Sequence, residues 1–222
     1  MEYIFSRNAA PGIKALSDEL ISSLKSGKKT LWLICGGSNI STAVEVSKSL
    51  RSNLSGSELH DLLVMQTDER FGPIGHPDSN WQQMIDLGFD LDGLSNHPVL
   101  KNLSLEETVR LSDFEIKEAF AWADYVVALF GIGADGHIAG ILPHSPAVSD
   151  EGLFSGYQGQ PFTRLTLTSS SLRKISVAYV LVFGETKREA IANLKNKNLT
   201  VEEEPCQILK EIPEAKLFSD LV

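Results

Sequence analysis

Five short, nearly unbroken apolar runs punctuate the chain: LWLIC (31–35), DLLVMQ (61–66), YVVALF (125–130), RLTLT (164–168) and ISVAYVLVF (175–183). A strand with one wet face alternates apolar and polar residues. A strand covered on both faces is apolar throughout, as in parallel α/β sheets. The stretches between the runs carry a helical period. Ile40, Ala43, Val44 and Ser47 recur at i, i+3, i+4 and i+7 behind Ser38, which reads as the N-cap. Ser104 and Glu107 form a capping box that opens a helix, and a second helical stretch covers 112–122. Ala190, Ile191 and Leu194 share one side of a helix after Gly184. Strand–helix alternation predicts an α/β fold: a Rossmann-like, mostly parallel sheet with helices on both faces. No repeat, low-complexity tract or linker breaks the pattern, so one domain is expected over 1–222. The stretch 143–162 holds Pro143, Pro146, Gly152, Gly156, Gly159 and Pro161 and reads as a loop or flap.

Over 222 residues, Lys+Arg 20 stands against Asp+Glu 29, a formal charge of −9. A general nucleic-acid or anionic-membrane binder needs a broad basic face, so neither partner is expected, and an anionic ligand must be held by a local basic patch. Cys35 and Cys206 make no disulfide framework and no CxxC pair. The opening MEYIFSRNAA lacks a basic leader with a long apolar core, and the longest apolar run is about half of a membrane-spanning helix. The expectation is a cytoplasmic protein with reduced thiols. No metal is suggested by the spacing of His, Cys or carboxylates, and no cofactor is expected.

Polar clusters follow three of the apolar runs, at the edge where open α/β sheets bind ligands. After LWLIC comes Gly36-Gly37-Ser38, which reads either as a backbone cradle for an anion at a helix start or as a tight strand–helix connection. After DLLVMQ comes Thr67-Asp68-Glu69-Arg70, two carboxylates beside a guanidinium. They would orient a base or hold hydroxyls, or else form a surface ion pair, and Asp78-Ser79-Asn80 would cap the next helix. After YVVALF comes Gly131-Ile-Gly-Ala-Asp135-Gly-His137-Ile-Ala-Gly, which contains GxGxxG. A dinucleotide site also needs an uninterrupted helix there, and Pro143 and Pro146 break it. Asp135 and His137 read instead as reactive groups on a tight loop, with His137 a candidate general base. Lys187, in the first turn of a helix, is disfavoured by the dipole unless an anion sits there, although a solvated lysine is the alternative. Arg164 would join the same patch or stay solvated.

Taken together, LICGGSN (33–39), TDERFGPIGHPDSN (67–80), GIGADGHIAGILPHSPA (131–147), TRLTLT (163–168) and VFGETKREAI (182–191) resemble the 6-phosphogluconolactonases, within the superfamily that includes glucosamine-6-phosphate isomerase/deaminase. The resemblance implies a Rossmann-like fold and hydrolysis of 6-phospho-D-glucono-1,5-lactone to 6-phosphogluconate in the pentose phosphate pathway. It implies His137 as catalytic base with Asp68 and Arg70 lining the site. The sugar phosphate would lie near Gly36–Ser38, with Arg164 and Lys187 as anion contacts. Asn39-Ile40 stands where the family usually has Thr-Pro, and Gly140-Ile141 where it has Ser-Leu.

The implied chemistry needs one base and one water. Neutral His137 would deprotonate water attacking C1, with Asp68 or Asp135 fixing its tautomer and N–H groups of the 131–136 loop, Gly131 and Gly133 among them, holding the oxyanion. The expected partner is a phosphorylated sugar lactone, acted on by a monomer or small homo-oligomer. Two rivals stand beside this reading: an amino-sugar-phosphate isomerase/deaminase and a non-catalytic sugar-phosphate sensor. The deaminase branch carries a glutamate a few residues beyond its histidine, where this chain reads Ile138-Ala-Gly-Ile-Leu142-Pro143.

Overall fold

The computed structural model describes residues 1–90 and 92–222. Seven strands, β1 (Glu2–Phe5), β2 (Thr30–Ile34), β3 (Leu62–Gln66), β5 (Ser95–His97), β6 (Tyr125–Phe130), β9 (Val177–Leu181) and β10 (Glu214–Ser219), form one sheet in the order β1-β10-β9-β6-β2-β3-β5. Every neighbouring pair in it is parallel. A second, antiparallel sheet joins β4 (Asp68–Arg70), β8 (Thr163–Leu167) and β7 (Phe154–Gln158) in the order β4-β8-β7. The helices are α1 (Ala10–Lys25), α2 (Ile40–Asn53), α3 (Gly56–Leu59), α4 (Asn80–Asp86), α5 (Leu105–Trp122), α6 (Ser169–Leu172) and α7 (Arg188–Asn196).

The unbroken apolar runs have the cause expected of them, because the parallel sheet is covered on both faces. Leu31 and Leu33 of β2 join one core with Val126, Ala128 and Phe130 of β6, Ile116 and Ala119 of α5, and Ala190, Ile191 and Leu194 of α7. Trp32 and Ile34 of β2 turn the other way, with Val127 and Leu129 of β6, onto Leu16 and Leu20 of α1, Val44 and Leu50 of α2, and Met84 of α4.

Four expectations are corrected. RLTLT does not belong to the parallel sheet: its residues alternate, with Leu165 and Leu167 in the core, and β8 pairs antiparallel with β4 and β7. The stretch 143–162 is not wholly a loop, since β7 lies within it. The helix opened by the Ser104–Glu107 capping box runs unbroken to Trp122, because no breaker separates 105 from 122. Ser38 does not cap α2: the chain makes a 3₁₀ turn over Gly37–Asn39 and α2 starts at Ile40. Asn39 is turned inward instead, its Nδ2 donating to Phe130 O at 3.1 Å and Leu181 O at 3.0 Å, which ties the ends of β6 and β9 together.

From β2 the chain winds outward through β3 to β5; from β6 it winds through β9 and β10 toward the opposite edge. The connections after β2 and β6 therefore diverge, and the crevice between their C-terminal ends is the topological switch point where such sheets bind ligands. Thr67 joins the two sheets above it. Its N–H donates to Ile34 O at 2.8 Å, and its carbonyl accepts from Leu167 N at 2.8 Å.

Candidate active site

A cavity of about 180 Å³ opens at the switch point, lined by Cys35, Gly36, Gly37, Ser38, Asp68, Arg70, Gly131, Ile132, Gly133, His137, Ala139, Arg164 and Lys187. The candidate residues read from the sequence line it except Asp135, which stands behind His137, and Glu69, which is turned away.

Gly37 takes φ +67, the left-handed region that glycine enters without strain. Gly36 is glycine for a different reason: an added Cβ would overlap the carboxamide of Asn80.

On the loop after β6, the His137 Nδ1–H donates to Asp135 Oδ1 at 2.6 Å. That bond fixes the tautomer and leaves Nε2 to carry the lone pair, and Nε2 has no protein partner among the described residues. The hydrogen bond from His137 lowers the Asp135 carboxyl to about 2 from its ordinary 3.8. Asp135, not Asp68, is thus the carboxylate on the imidazole. Gly133 leaves room for the pair, since a Cβ there would land on both the ring and Asp135 Oδ1. The glycine loop is not an open nest throughout. The Gly133 N–H donates to His137 O at 2.8 Å and the Gly136 N–H to Gly133 O at 3.1 Å, so neither can hold an oxyanion. Behind the loop, Cys206 N donates to Gly136 O at 2.8 Å, and the Glu204 side chain fills the space a Cβ on Gly136 would need.

The Asp68-Glu69 pair is not a surface ion pair, because both side chains are buried. Asp68 faces the cavity, its Oδ1 accepting from Thr67 Oγ1 at 2.9 Å and its Oδ2 from Asn80 Nδ2 at 3.1 Å. Glu69 points away and accepts from Asn80 N at 2.6 Å, Trp81 N at 3.0 Å, Ser79 Oγ at 2.8 Å and Gln66 Nε2 at 2.9 Å. Ser79 caps α4, as expected of the Asp78-Ser79-Asn80 turn.

Three cations share the cavity wall. Arg70 and Arg164 sit directly opposite each other across β4 and β8. Arg70 lies 5.4 Å over the Phe162 ring, and its Nη1 donates to Asp78 O at 2.9 Å. Yet the Nε–H of each arginine is buried without a partner. Among the described residues, no carboxylate lies within 4.0 Å of Arg70, Arg164 or Lys187. Arg188, next in sequence, is instead paired with Glu185 outside the cavity. In a chain of charge −9, three cations without carboxylate partners gathered around one hollow are what a bound anion would require.

Cys35, Ile132 and Ala139 also line the cavity, though nothing in their sequence context marks them as site residues. Burial, reinforced by the Asp68 charge, pushes the Cys35 thiol up to about 12, so it is no nucleophile at neutral pH. Among the described residues no group of His, Cys, Asp and Glu forms a metal site, and no helix is long and apolar enough to cross a membrane.

Fold and cavity together define a class: a Rossmann-like α/β protein whose switch-point crevice presents an oriented histidine beside three cations without carboxylate partners. The sequence model of the glucosamine-6-phosphate isomerases/6-phosphogluconolactonase family matches residues 7–217, and the chain belongs to that family. A 6-phosphogluconolactonase of Borreliella burgdorferi is 27% identical over 204 residues, 85% of this chain and 82% of the relative. Among solved structures, a 6-phosphogluconolactonase from Shewanella baltica superimposes with TM-score 0.81 at 17% identity, over 99% of this chain and 97% of that one. A monomeric glucosamine-6-phosphate deaminase superimposes almost equally well, with TM-score 0.80 at 18% identity over 99% and 97%. The fold is therefore common to two chemistries, and only the site residues can separate them.

Proposed function

We propose that the protein hydrolyses 6-phospho-D-glucono-1,5-lactone to 6-phosphogluconate. The observation that carries this reading is the joint lining of one cavity by the Asp135-oriented His137 and by three cations without carboxylate partners. The sugar's phosphate group matches the cations; the lactone carbonyl needs one base and one water. The curated relative from Borreliella burgdorferi supports the same substrate.

In this mechanism Arg164, Lys187 and Arg70 bind the phosphate beside the Gly36–Ser38 turn, and that remote binding orients the ring. His137 Nε2 removes a proton from a water molecule as its oxygen bonds to C1. The imidazolium is stabilised by Asp135, which stays ionised. The tetrahedral intermediate collapses with cleavage of the bond between C1 and the ring oxygen, and His137 returns its proton to that oxygen. The new carboxylic acid then ionises in solvent. Asp68, whose protein-side bonds come from Thr67 and Asn80, holds a sugar hydroxyl and sets the ring's orientation. One positioned base supplies about 10²–10⁴-fold, enough for an activated ester.

Hydrolysis is measured as acid release above the spontaneous background. His137→Ala should lose about 10²–10⁴-fold in turnover while 6-phosphogluconate still binds. Near-normal turnover in that variant would remove His137 as the base.

A further inference from the structure

Asp68 sits at a joint between three segments, and a single buried side chain holds them together. Asn80, the first residue of α4, is fully buried. Its Nδ2 donates to the Asp68 main-chain oxygen at 3.0 Å and to the Asp68 carboxylate at 3.1 Å. Its Oδ1 takes no hydrogen bond and fills the space where a Cβ on Gly36 would stand. The amide orientation is determined by chemistry, since the flipped form would set Oδ1 against two acceptors of Asp68. Asn80 is itself fixed from below: Glu69 accepts from its main-chain N–H, from Trp81 N and from Ser79 Oγ. A buried carboxylate at a helix N-terminus, accepting this many donors, holds that end of α4 in one place.

We infer that Asn80 is a positioning residue for the reaction: anchored by Glu69, it sets the Asp68 carboxylate and the Gly36 turn in fixed relation across the cavity. The two neighbouring carboxylates thus have divided tasks, Asp68 facing the substrate and Glu69 holding the side chain that aims it. Asp68 has two further acceptor positions on its cavity side, and their direction depends on the bonds from Thr67 and Asn80. Phosphate affinity belongs to other groups, Arg70, Arg164 and Lys187, whose side chains take no hydrogen bond from Asn80. This inference rests on the hydrolase reading given above.

The test compares wild type with Asn80→Ala, with Asn80→Asp, which keeps the shape but replaces the donor by an acceptor, and with Met84→Ala. Met84 is buried on the same short helix but lies outside the cavity, so it reports on loosening of α4 alone. Lactone hydrolysis gives kcat and KM, calorimetry gives the affinity for 6-phosphogluconate, and circular dichroism gives the melting temperature. Both Asn80 variants should lose about 10- to 100-fold in kcat, the worth of one hydrogen bond to a charged group, with 6-phosphogluconate affinity falling far less than kcat. Met84→Ala should melt earlier and keep its kcat. The inference is overturned if folded Asn80 variants keep wild-type kcat. It is equally overturned if kcat and 6-phosphogluconate affinity fall in proportion, or if Met84→Ala loses as much kcat. Wild-type protein without hydrolysis above background would instead refute the hydrolase reading, and this inference with it.

Discussion

Replacing Gly133 by alanine tests the His137–Asp135 pair without removing either member. The added Cβ would land on the imidazole ring and on Asp135 Oδ1, so the pair cannot survive in place. The backbone itself is permissive, because Gly133 lies outside the left-handed region. Relief is available outward: the His137 side chain is 32% exposed and that of Asp135 51%. The ring therefore swings toward solvent and the core is not strained. A hydrogen-bonded pair this exposed contributes at most about 1 kcal/mol. A glycine-to-alanine change stabilises by about 0.4–1 kcal/mol through the unfolded chain. The two nearly cancel, and the melting temperature should move by less than about 4 °C for a chain of this size. Catalysis has no such compensation. Loss of a positioned base costs about 10²–10⁴-fold, or about 3–5 kcal/mol of barrier. The expected outcome is a folded protein that binds 6-phosphogluconate normally and hydrolyses the lactone at a small fraction of the wild-type rate. Paired hydrolysis and thermal-melt measurements read this directly. A Gly133→Ala protein with wild-type turnover would refute both the placement of the base and the reason given for the glycine.

Two further outcomes follow from the charges. The hydrogen bond from His137 holds the folded-state value of Asp135 at about 2, below its ordinary 3.8. A lowered carboxyl contributes stability that is present above the unfolded value and is lost as pH falls through the folded one. The stability advantage of wild type over Asp135→Asn should therefore be present at about pH 5 and disappear between about 4 and 2. Urea unfolding across that range checks it, and an advantage already gone at pH 6 would contradict the assigned bond. Across β4 and β8, the facing Arg70 and Arg164 repel each other by roughly 0.2–1 kcal/mol when nothing lies between them. Arg164→Gln should melt no lower than wild type in buffer without multivalent anions, and should gain less melting temperature on adding 6-phosphogluconate. An equal gain in the two proteins would exclude Arg164 from the anion site.

The parallel sheet was legible because burial on both faces leaves a local signature, the unbroken apolar run, in β2, β3, β6 and β9. The edge strands left none. β5 reads Ser95-Asn96-His97, and β1 is half exposed; both become strands only because a neighbour offers a ladder. RLTLT misled for the opposite reason, since Thr166 is as fully buried as its leucines but serves a polar purpose. In the cavity, groups that end a strand and carry charge could be read from position. Those that act from behind could not. Asn80 looks like any residue at a helix start, and Tyr157 lies in a stretch whose prolines and glycines read as loop; their roles come from partners 12 and 17 residues away.

The turn after His137 carries no carboxylate between Ile138 and Pro143, and its neighbours hold it in one conformation. Ile138 and Ile141 are fully buried and bridge to each other. Between them Ala139 takes φ +51, a conformation costing a non-glycine residue about 1–2 kcal/mol. It is held there by its neighbour: the Gly140 N–H donates to Thr166 Oγ1 at 3.0 Å, and the Tyr157 hydroxyl donates to Gly140 O at 2.5 Å and accepts from Leu142 N at 3.2 Å. Of residues 138–142, Ala139 is the one that lines the cavity. A side chain on Gly140 would begin with a Cβ 2.8 Å from Thr166 Cβ, pressing on β8, the strand that carries Arg164. The turn after His137 thus brings Ala139 and no carboxylate to the cavity, which fits the proposed lactone hydrolysis, with its one base and one water, better than a reaction that needs a second proton carrier beside the histidine.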